Sequence, residues 1–274
     1  MPTSPRHRLL LLGGTGEALA LAERLQTIGG IESISSLAGR TKRPVLPAGT
    51  VRVGGFGGIG GLIDYLTGNR IEMIVNATHP YAAEMSLNAL RAHQVTGIPL
   101  LRFIRPEWIR DPLDVWIRTP HVAAAADVCR WYGKRILLSI GSQDVAPFAK
   151  VETAHFLLRL VDPPETPVPL KDYELIEARG PFALAGERRL MLENRIDLIV
   201  SKNSGGDATY AKILAARELS IPVVMIDRPE IARRTGSHTA HDLEEALDWV
   251  QARLDQIEVS ARALDPDTTR NDRT

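Results

Sequence analysis

The sequence predicts an α/β protein made of two Rossmann-like lobes, each with a parallel sheet, packed across a cleft. Short apolar segments that suit buried parallel strands alternate with helical segments along most of the chain. A glycine-rich turn follows the first apolar segment, and a turn of small residues follows a later one. The alternation predicts a first lobe at 1–116, a second lobe at 117–256 and a polar, disordered tail at 257–274.

The composition is that of an ordinary globular protein, and it argues against several functions. The 274 residues include 33 basic and 33 acidic side chains, so no overall field recruits nucleic acid or an anionic membrane. The single cysteine, Cys129, cannot form an intrachain disulfide and is expected to be a small buried filler. The histidines are too scattered to predict a metal site. Without a signal peptide or a membrane-length apolar run, we expect a cytoplasmic protein.

The first glycine turn has the form of a phosphate-binding site. The apolar segment Leu9–Leu12 ends at Gly13-Gly14-Thr15-Gly16, and an Ala- and Leu-rich helical pattern begins at once. Glycines let backbone N–H groups approach an anion, and the positive end of the helix dipole favours one there. Leu19 stands where the usual fingerprint has a small residue, and Glu17 adds a carboxylate. The turn predicts nucleotide binding, and a tightly packed βα turn without a ligand is the alternative.

The segment after the second predicted strand (31–37) is basic. In a dinucleotide-binding fold this segment reaches the adenosine ribose, where an acid favours the free 2′-hydroxyl and arginine accommodates a 2′-phosphate. Arg40, Lys42 and Arg43 occur here without an acid, so the sequence favours NADPH over NADH. A solvated basic loop is the alternative interpretation.

Glycine dominates the loop after the third predicted strand, Val51–Val53. Six of the eight residues at 54–61 are glycine, and ordering them is costly in backbone entropy. Close approach of a flat ligand would account for this composition, and so would flexible gating.

Polar side chains follow the fourth predicted strand (71–75). Thr78 or His79 can cap the next helix, with Pro80 in its first turn. His79 and Tyr81 would then lie at the carboxyl edge of the sheet, where open α/β sheets bind ligands. A purely structural histidine is the alternative.

Two arginines three residues apart leave the fifth predicted strand (98–103). Arg102 and Arg105, with an aromatic residue nearby, form a predicted clamp for a carboxylate.

The second lobe repeats the alternation with less glycine. Its predicted strands are 135–139, 155–160, 196–200 and 221–226, and its predicted helices are 121–132, 180–194, 208–219 and 242–255. The strand at 196–200 leads into Ser201-Lys202-Asn203-Ser204-Gly205-Gly206, which predicts an anion-binding nest. It is not a Walker loop, because the lysine precedes the glycines.

Two other enzyme classes lack their signatures. A short-chain dehydrogenase needs a tyrosine followed by lysine four residues later, and none of the five tyrosines has one. A serine hydrolase of the α/β class needs a G-x-S-x-G elbow, which is absent.

Six motifs occur in an order that resembles the precorrin-6A reductase family of cobalamin biosynthesis. They are Gly13–Ala18, Ala38–Arg40, Arg52–Gly58, Ala77–Ala82, Arg102–Trp108 and Ser201–Gly206, and the likeness spans about residues 8–255. The resemblance implies reduction of one carbon–carbon double bond of precorrin-6A by NADPH to give precorrin-6B, with hydride going to C19 and a proton to C18. The alternatives are the cobalt-containing substrate of the anaerobic branch and, in a different class, a non-catalytic NADP-sensing module.

The candidate residues form three sets. The set expected to bind the cofactor is Gly13, Gly14, Thr15, Gly16, Glu17, Arg40, Gly55, Phe56, Gly57, Thr78, Ser201, Lys202, Asn203, Ser204 and Gly205. The candidate proton donors are His79, Tyr81, Lys202 and Tyr210, with bulk water as a competitor. The cations expected to meet substrate carboxylates are Arg102, Arg105, Arg179 and Arg228.

The resemblance also bears on Glu17 and on the partners. An acid is the expected residue at position 17 in this family, so Glu17 is expected to cap its own helix or to bind a cofactor hydroxyl. The expected partner is a macrocyclic polycarboxylate, together with contacts to neighbouring enzymes of the pathway. Nucleic acid, membrane and a protein-bound metal are not expected.

Overall fold

The computed structural model describes residues 7–39, 44–164, 166–233 and 237–264, which form two compact units. Unit 1 comprises 7–39, 44–104 and 237–264, and unit 2 comprises 105–164 and 166–233. The strands are β1 (His7–Leu12), β2 (Ile31–Leu37), β3 (Thr50–Val53), β4 (Met73–Asn76), β5 (Leu100–Phe103), β6 (Trp116–Thr119), β7 (Arg135–Ser139), β8 (His155–Leu160), β9 (Tyr173–Glu177), β10 (Leu198–Lys202), β11 (Val223–Ile226) and β12 (His238–Ala240). The α-helices are α1 (Gly16–Leu25), α2 (Gly58–Gly68), α3 (Ala83–Thr96), α4 (Val122–Cys129), α5 (Leu184–Glu193), α6 (Ala211–Glu218) and α7 (Leu243–Leu264).

Unit 1 contains a six-stranded parallel sheet in the order β12-β5-β4-β1-β2-β3. The four leucines Leu9–Leu12 of β1 are almost fully buried, as expected for a central strand of a parallel sheet with both faces covered. Helices α1 and α7 contribute Leu21, Leu25 and Val250 to the same core as Leu9.

Unit 2 contains a second six-stranded parallel sheet, in the order β6-β11-β10-β7-β8-β9. Leu137 and Ile199 on adjacent strands pack with Met191 of α5 and Ile213 of α6. The prediction of two α/β lobes with parallel sheets is therefore confirmed.

The observed division of the chain differs from the predicted one. The sequence predicts a boundary near 116 and a final helix in the second lobe, whereas the chain divides after Ile104 and α7 belongs to unit 1. The reason is that β12 pairs with β5, which returns the chain to the first sheet before α7 begins. Residues 257–264, predicted to be disordered, continue α7, and Ile257 packs against the unit 1 core. Residues 265–274 lie outside the described part of the chain.

The strands that the sequence does not predict are short strands at the edges of the two sheets. β6 and β9 are the two edges of the second sheet, and β12 is an edge of the first. Their segments are short or alternate with charged residues, so they lack the apolar run that marks a central strand.

The sequence also leads to expectations about Cys129, membrane spans and metal sites. Cys129 is buried as expected, and burial raises the pKa of its thiol to about 12. No helix in the described ranges is long and apolar enough to span a bilayer. Nor do three His, Cys, Asp or Glu side chains of the described residues come together as metal ligands.

Candidate active site

Thr15 organises the turn between β1 and α1. Its hydroxyl oxygen accepts a hydrogen bond from the Ala18 amide (3.1 Å) and so caps α1. The same hydroxyl donates to the Ala77 carbonyl (2.8 Å), which follows β4. Thr15 therefore ties the first glycine turn to the neighbouring strand end. Glu17 lies in the first turn of α1, where the helix dipole favours an acid, but the capping side chain is that of Thr15.

The three glycines of this turn differ in what the protein itself demands of them. A Cβ at Gly13 would lie 3.3 Å from the Ala18 Cβ, so Gly13 allows the helix to pack closely on the strand. Gly14 has a φ of 109°, which disfavours any side chain. Gly16 has an ordinary φ, and an added Cβ would meet no protein atom within 4 Å. Gly16 thus leaves open space at the N-terminus of α1 that the protein itself does not fill.

The glycine-rich loop between β3 and α2 shows the same combination. Gly54, Gly57 and Gly58 have positive φ values, and a Cβ at Gly61 would lie 1.8 Å from the Phe56 carbonyl oxygen. Gly55, in contrast, has an ordinary φ and nothing closer than 4.0 Å. The loop is therefore shaped by its backbone, and it leaves open space beside Gly55.

Arg52 holds this loop in place, a role that sequence reasoning missed. Its Nη1 donates to the Ser36 hydroxyl (2.7 Å) and to the Gly54 carbonyl (3.0 Å), and its Nη2 donates to the Gly55 carbonyl (3.1 Å). The guanidinium carbon lies 3.9 Å from the ring centroid of Phe56. The signal was available in the sequence, because Arg52 precedes the glycines on a short strand.

Hydrogen bonds to Asn76 fix the end of β4. The buried Asn76 side-chain oxygen accepts from the Thr78 amide (3.2 Å) and the Thr78 hydroxyl (2.7 Å). Its Nδ2 donates to the Ser86 hydroxyl (3.1 Å). The predicted cap of α3 by Thr78 or His79 is wrong, because the helix begins only at Ala83 and Ala82 occupies its N-cap position.

His79 and Tyr81 lie together in the turn that follows. The Tyr81 amide donates to His79 Nδ1 (3.3 Å), and the two ring centroids are 5.6 Å apart.

On β5, Arg102 sits beside Asn76 in the sheet register and is almost fully buried. Burial lowers the pKa of its guanidinium, which nevertheless stays charged near neutral pH.

The small-residue turn after β10 is packed against the segment that opens unit 2. The Trp108 amide donates to Asn203 Oδ1 (2.8 Å), and the Trp108 indole donates to the Gly206 carbonyl (2.9 Å). Arg105 Nε donates to the Ser204 carbonyl (2.7 Å). A Cβ at Gly205 would lie 2.0 Å from a backbone oxygen of the same segment, so no other residue fits there.

Arg228 binds the protein backbone with most of its guanidinium donors. Its Nε donates to the Asn203 carbonyl (2.9 Å) and its Nη1 to the Arg105 carbonyl (2.9 Å). Its Nη2 donates to the carbonyls of Pro106 (3.1 Å) and Ser204 (3.0 Å). Arg228 is 6% exposed, and through these contacts it holds the turn after β10 in place. Arg179, in contrast, is exposed just beyond β9.

Lys202 and Tyr210, two of the candidate proton donors, have charged neighbours. The Lys202 ammonium forms an ion pair with Asp144. The Tyr210 hydroxyl accepts a hydrogen bond from Arg217 Nη2 (3.1 Å), and Arg217 is itself paired with Asp114 (2.8 Å).

Three buried charged side chains of unit 2 were not among the predicted site residues. Arg159 and Glu187 form a buried ion pair with N···O distances of 2.5 and 3.1 Å. Lys212 is 3% exposed, donates to the Thr209 carbonyl (3.2 Å), and lies 4.8 Å from the Trp108 ring centroid. Burial, assisted by the charge of Arg159, lowers the pKa of Lys212 to about 7. Its position among apolar residues of a short helix was the available signal.

The structure places the predicted residues in two groups. Unit 1 holds Gly13 to Glu17, Gly55, Phe56, Gly57, Thr78, His79, Tyr81 and Arg102, and unit 2 holds Arg105, Arg179, Ser201 to Gly205, Tyr210 and Arg228. Arg40 lies outside the described residues. A cavity of about 740 Å³ lies elsewhere in unit 1, lined by Arg8, Glu32, Gly68, Arg70, Ile71 and Glu72, where β1, β2 and β4 begin. None of the predicted site residues lines it.

Comparisons with known proteins agree with the sequence motifs. The family model described as "Precorrin-6x reductase CbiJ/CobK" matches residues 8–251. The precorrin-6A reductase of Rhodococcus erythropolis is 48% identical over 243 residues, which cover 89% of this chain and 97% of that protein. The precorrin-6A reductase of Rhodobacter capsulatus is 44% identical, with 89% and 95% covered. The cobalt-precorrin-6A reductase of Salmonella typhimurium is 29% identical over 231 residues, with 81% and 87% covered.

A solved structure supports the same relationship. The structure titled "CobK precorrin-6A reductase" matches with a TM-score of 0.84 and 42% identity, covering 90% of this chain and 97% of that one. The shared sequence extends over nearly the whole described chain, and the motifs at the carboxyl edges lie within it. The chain belongs to the precorrin-6x reductase CbiJ/CobK family of oxidoreductases.

Proposed function

We propose that this protein reduces precorrin-6A to precorrin-6B with NADPH. The observation that carries the proposal is similarity over nearly the full length of precorrin-6A reductases from several bacteria, at 41–48% identity. Cobalt-precorrin-6A reductases match at 28–33% identity. This difference favours the metal-free substrate over the cobalt-containing one.

The geometry of unit 1 fits a dinucleotide at its carboxyl edge. Gly16 and Gly55 have neither a left-handed φ nor a neighbour that a Cβ would strike, so the protein itself does not require glycine at either position. Both leave space beside backbone N–H groups, which supports close approach of a phosphate or a ribose. Gly13 to Glu17, Gly55 to Gly57 and Thr78 would hold the cofactor, and Arg40 would bind its 2′-phosphate. When bound, NADPH supplies the hydride that goes to C19.

The chain must also supply or admit the proton that goes to C18. The Lys202 side chain ends in an ammonium group, paired with Asp144, and an ammonium group can donate a proton. In neutral His79, acceptance of the Tyr81 amide by Nδ1 leaves the ring proton on Nε2, from which it can be donated. Tyr210 and Tyr81 are phenol donors, and bulk water remains a competitor.

The predicted substrate cations have different roles in this proposal. Arg228 and Arg105 donate to backbone carbonyls and would position the turn after β10. Arg179 is exposed and would contact a peripheral carboxylate of the macrocycle. Arg102 would place a buried positive charge beneath the edge of the first sheet. The Ser201 to Gly205 turn is proposed to complete cofactor binding. Cytoplasmic location and contacts with neighbouring pathway enzymes stay predictions.

The experiment is a single-turnover assay with purified protein, precorrin-6A and NADPH. We expect one NADPH to be oxidised for each precorrin-6B formed, with NADH much less effective. When C4-deuterated NADPH carries the label, deuterium should appear at C19 by NMR. Formation of precorrin-6B without NADPH consumption would contradict the proposal. Tight NADPH binding without any reduction of precorrin-6A or of its cobalt complex would instead indicate an NADP-sensing module.

A further inference from the structure

Arg52 lies at the strand ends where Rossmann-type folds bind the adenosine end of a dinucleotide. It pairs in register with Ser36, so it lies at the carboxyl ends of two adjacent strands, β2 and β3. Its Nη1 donates directly to the Ser36 hydroxyl, 2.7 Å away. In Rossmann-type folds the end of the second strand reaches the ribose that carries the 2′-hydroxyl or the 2′-phosphate. The Arg52 guanidinium thus lies at the strand ends where, by this fold rule, the group that distinguishes NADPH from NADH is bound.

The charge of Arg52 is not neutralised by the described part of the protein. Its hydrogen-bond acceptors among the described residues are one hydroxyl and two backbone carbonyls, all of them neutral. Other arginines of unit 1 form ion pairs, Arg8 with Glu32 and Arg24 with Glu244. No carboxylate among the described residues forms an ion pair with Arg52. A half-exposed guanidinium with neutral partners keeps its attraction for an anion.

The guanidinium is also held in a fixed orientation. It stacks on the Phe56 ring at 3.9 Å and lies 5.0 Å from the Tyr65 ring, while the two rings meet edge to face at 5.3 Å. Stacking of this kind favours arginine over lysine. Because the guanidinium is already ordered, it loses little further conformational entropy when a ligand binds. The same side chain fixes the carbonyls of Gly54 and Gly55, so the charge and the glycine loop are positioned together.

We infer that Arg52 is a specificity-determining residue that binds the 2′-phosphate of NADPH, in addition to organising the glycine loop. The inference rests on the proposed use of NADPH. If Arg52 only organised the glycine loop, its loss would weaken NADP⁺ and NAD⁺ binding equally. If it also binds the 2′-phosphate, its loss weakens NADP⁺ binding more than NAD⁺ binding. The two roles can therefore be separated by binding measurements that need no substrate.

The test measures dissociation constants for NADP⁺, NAD⁺ and 2′,5′-ADP by titration calorimetry. The variants are Arg52→Met and Arg52→Lys, and the matched control is Arg24→Met, which removes an exposed arginine of the same unit. Circular dichroism checks that each variant is folded. We expect Arg52→Met to weaken NADP⁺ and 2′,5′-ADP about 10- to 100-fold, the effect of losing a charge-assisted hydrogen bond. NAD⁺ binding should weaken only through the loss of the glycine-loop contacts, by several-fold less than NADP⁺ binding. Arg52→Lys should fall between Arg52→Met and the wild type.

The outcomes separate the inference from the proposed function. Equal weakening of NADP⁺ and NAD⁺ by both variants would overturn the role in 2′-phosphate binding and leave Arg52 as a loop organiser. A wild-type protein that does not bind NADP⁺ more tightly than NAD⁺ would overturn the proposed use of NADPH itself. If Arg52→Met fails to fold, Arg52→Lys decides: a selective loss of NADP⁺ affinity supports the inference, and an equal loss contradicts it.

Discussion

The carboxyl edges of the two sheets are built in different ways. In unit 1, glycine turns and short hydroxyl or amide side chains shape the edge, with Thr15 and Asn76 as the main connecting residues and Arg52 as the cation that holds the glycine-rich loop. In unit 2, buried cations hold backbone carbonyls, four by Arg228 and one by Lys212, and the Arg159–Glu187 pair is buried as well. The first arrangement leaves space next to the backbone, and the second uses cations to hold the backbone. Counting cations in a sequence therefore overestimates how many are available to a polyanionic substrate.

The largest expected effect comes from breaking the buried ion pair of unit 2. Glu187→Gln leaves Arg159 charged and buried without its partner, so it should lower the free energy of unfolding by about 3–5 kcal/mol. Urea denaturation followed by circular dichroism measures this change. The matched control is Glu218→Gln, which removes the exposed ion pair with Arg188 and should cost less than about 1 kcal/mol. Similar losses for both variants would contradict the role given to the buried pair.

The next effect concerns the buried ammonium of Lys212. Its pKa is about 7 in the folded protein against an ordinary 10.5, so the unfolded chain binds more protons between these values. Stability should therefore rise with pH from about 7 to about 10, by at most about 1.4 kcal/mol per pH unit, and the gain is lost again as the pH falls toward 7. Urea denaturation at a series of pH values should show a shallower rise for Lys212→Met than for the wild type. Lys171→Met, at an exposed ion pair, should keep the wild-type slope.

Thr15 provides a smaller test on the unit 1 side. Thr15→Ala removes the cap of α1 and the bond to the Ala77 carbonyl, and should cost about 1–2 kcal/mol. The exposed Thr27 is the control, because its hydroxyl bonds only to a nearby backbone carbonyl within the end of the same helix. We also expect Thr15→Ala, but not Thr27→Ala, to weaken NADP⁺ binding. Unchanged NADP⁺ affinity in a folded Thr15→Ala protein would contradict a role of this turn in cofactor binding.

The smallest effect on stability should accompany a loss of binding. Gly16→Ala places a Cβ in open space at a helical position, so it should stabilise the fold by about 0.5–1 kcal/mol. The same methyl group should obstruct the cofactor and weaken NADP⁺ binding by tenfold or more, about 1.4 kcal/mol. Gly186→Ala, in α5 of unit 2, also meets no neighbour and should stabilise the fold without affecting NADP⁺. Equal NADP⁺ affinity in the two variants would argue against a ligand beside Gly16.

The sequence predicts the central elements well because burial leaves a clear signal there. The leucines at 9–12 and the glycines that follow predict β1, its turn and α1 closely, since strand, turn and helix each have a local pattern. The edge strand β12 and the return of α7 to the first sheet depend on a contact between residues about 137 positions apart. No local pattern reports such a contact.

The sequence predicts the turns of the candidate site but not the contacts that its side chains make. Motifs located the turns at 13–17, 54–58 and 201–206, where backbone shape restricts the residue type. The hydrogen-bond partners of side chains were not accessible from the sequence. Arg228 was expected to bind substrate, and its four bonds to backbone carbonyls were not foreseen, while Arg52 and Lys212 were not singled out. A long side chain can reach several acceptors, and only the fold decides between them.

The most direct test of the account is a crystal structure of the protein with NADP⁺ bound. We predict that the pyrophosphate contacts backbone amides of the turn at residues 13–16, and that the 2′-phosphate lies within hydrogen-bonding distance of the Arg52 guanidinium. A cofactor bound without contact to this turn, or with its 2′-phosphate away from the ends of β2 and β3, would contradict the assignment of the cofactor to the glycine-built edge of unit 1.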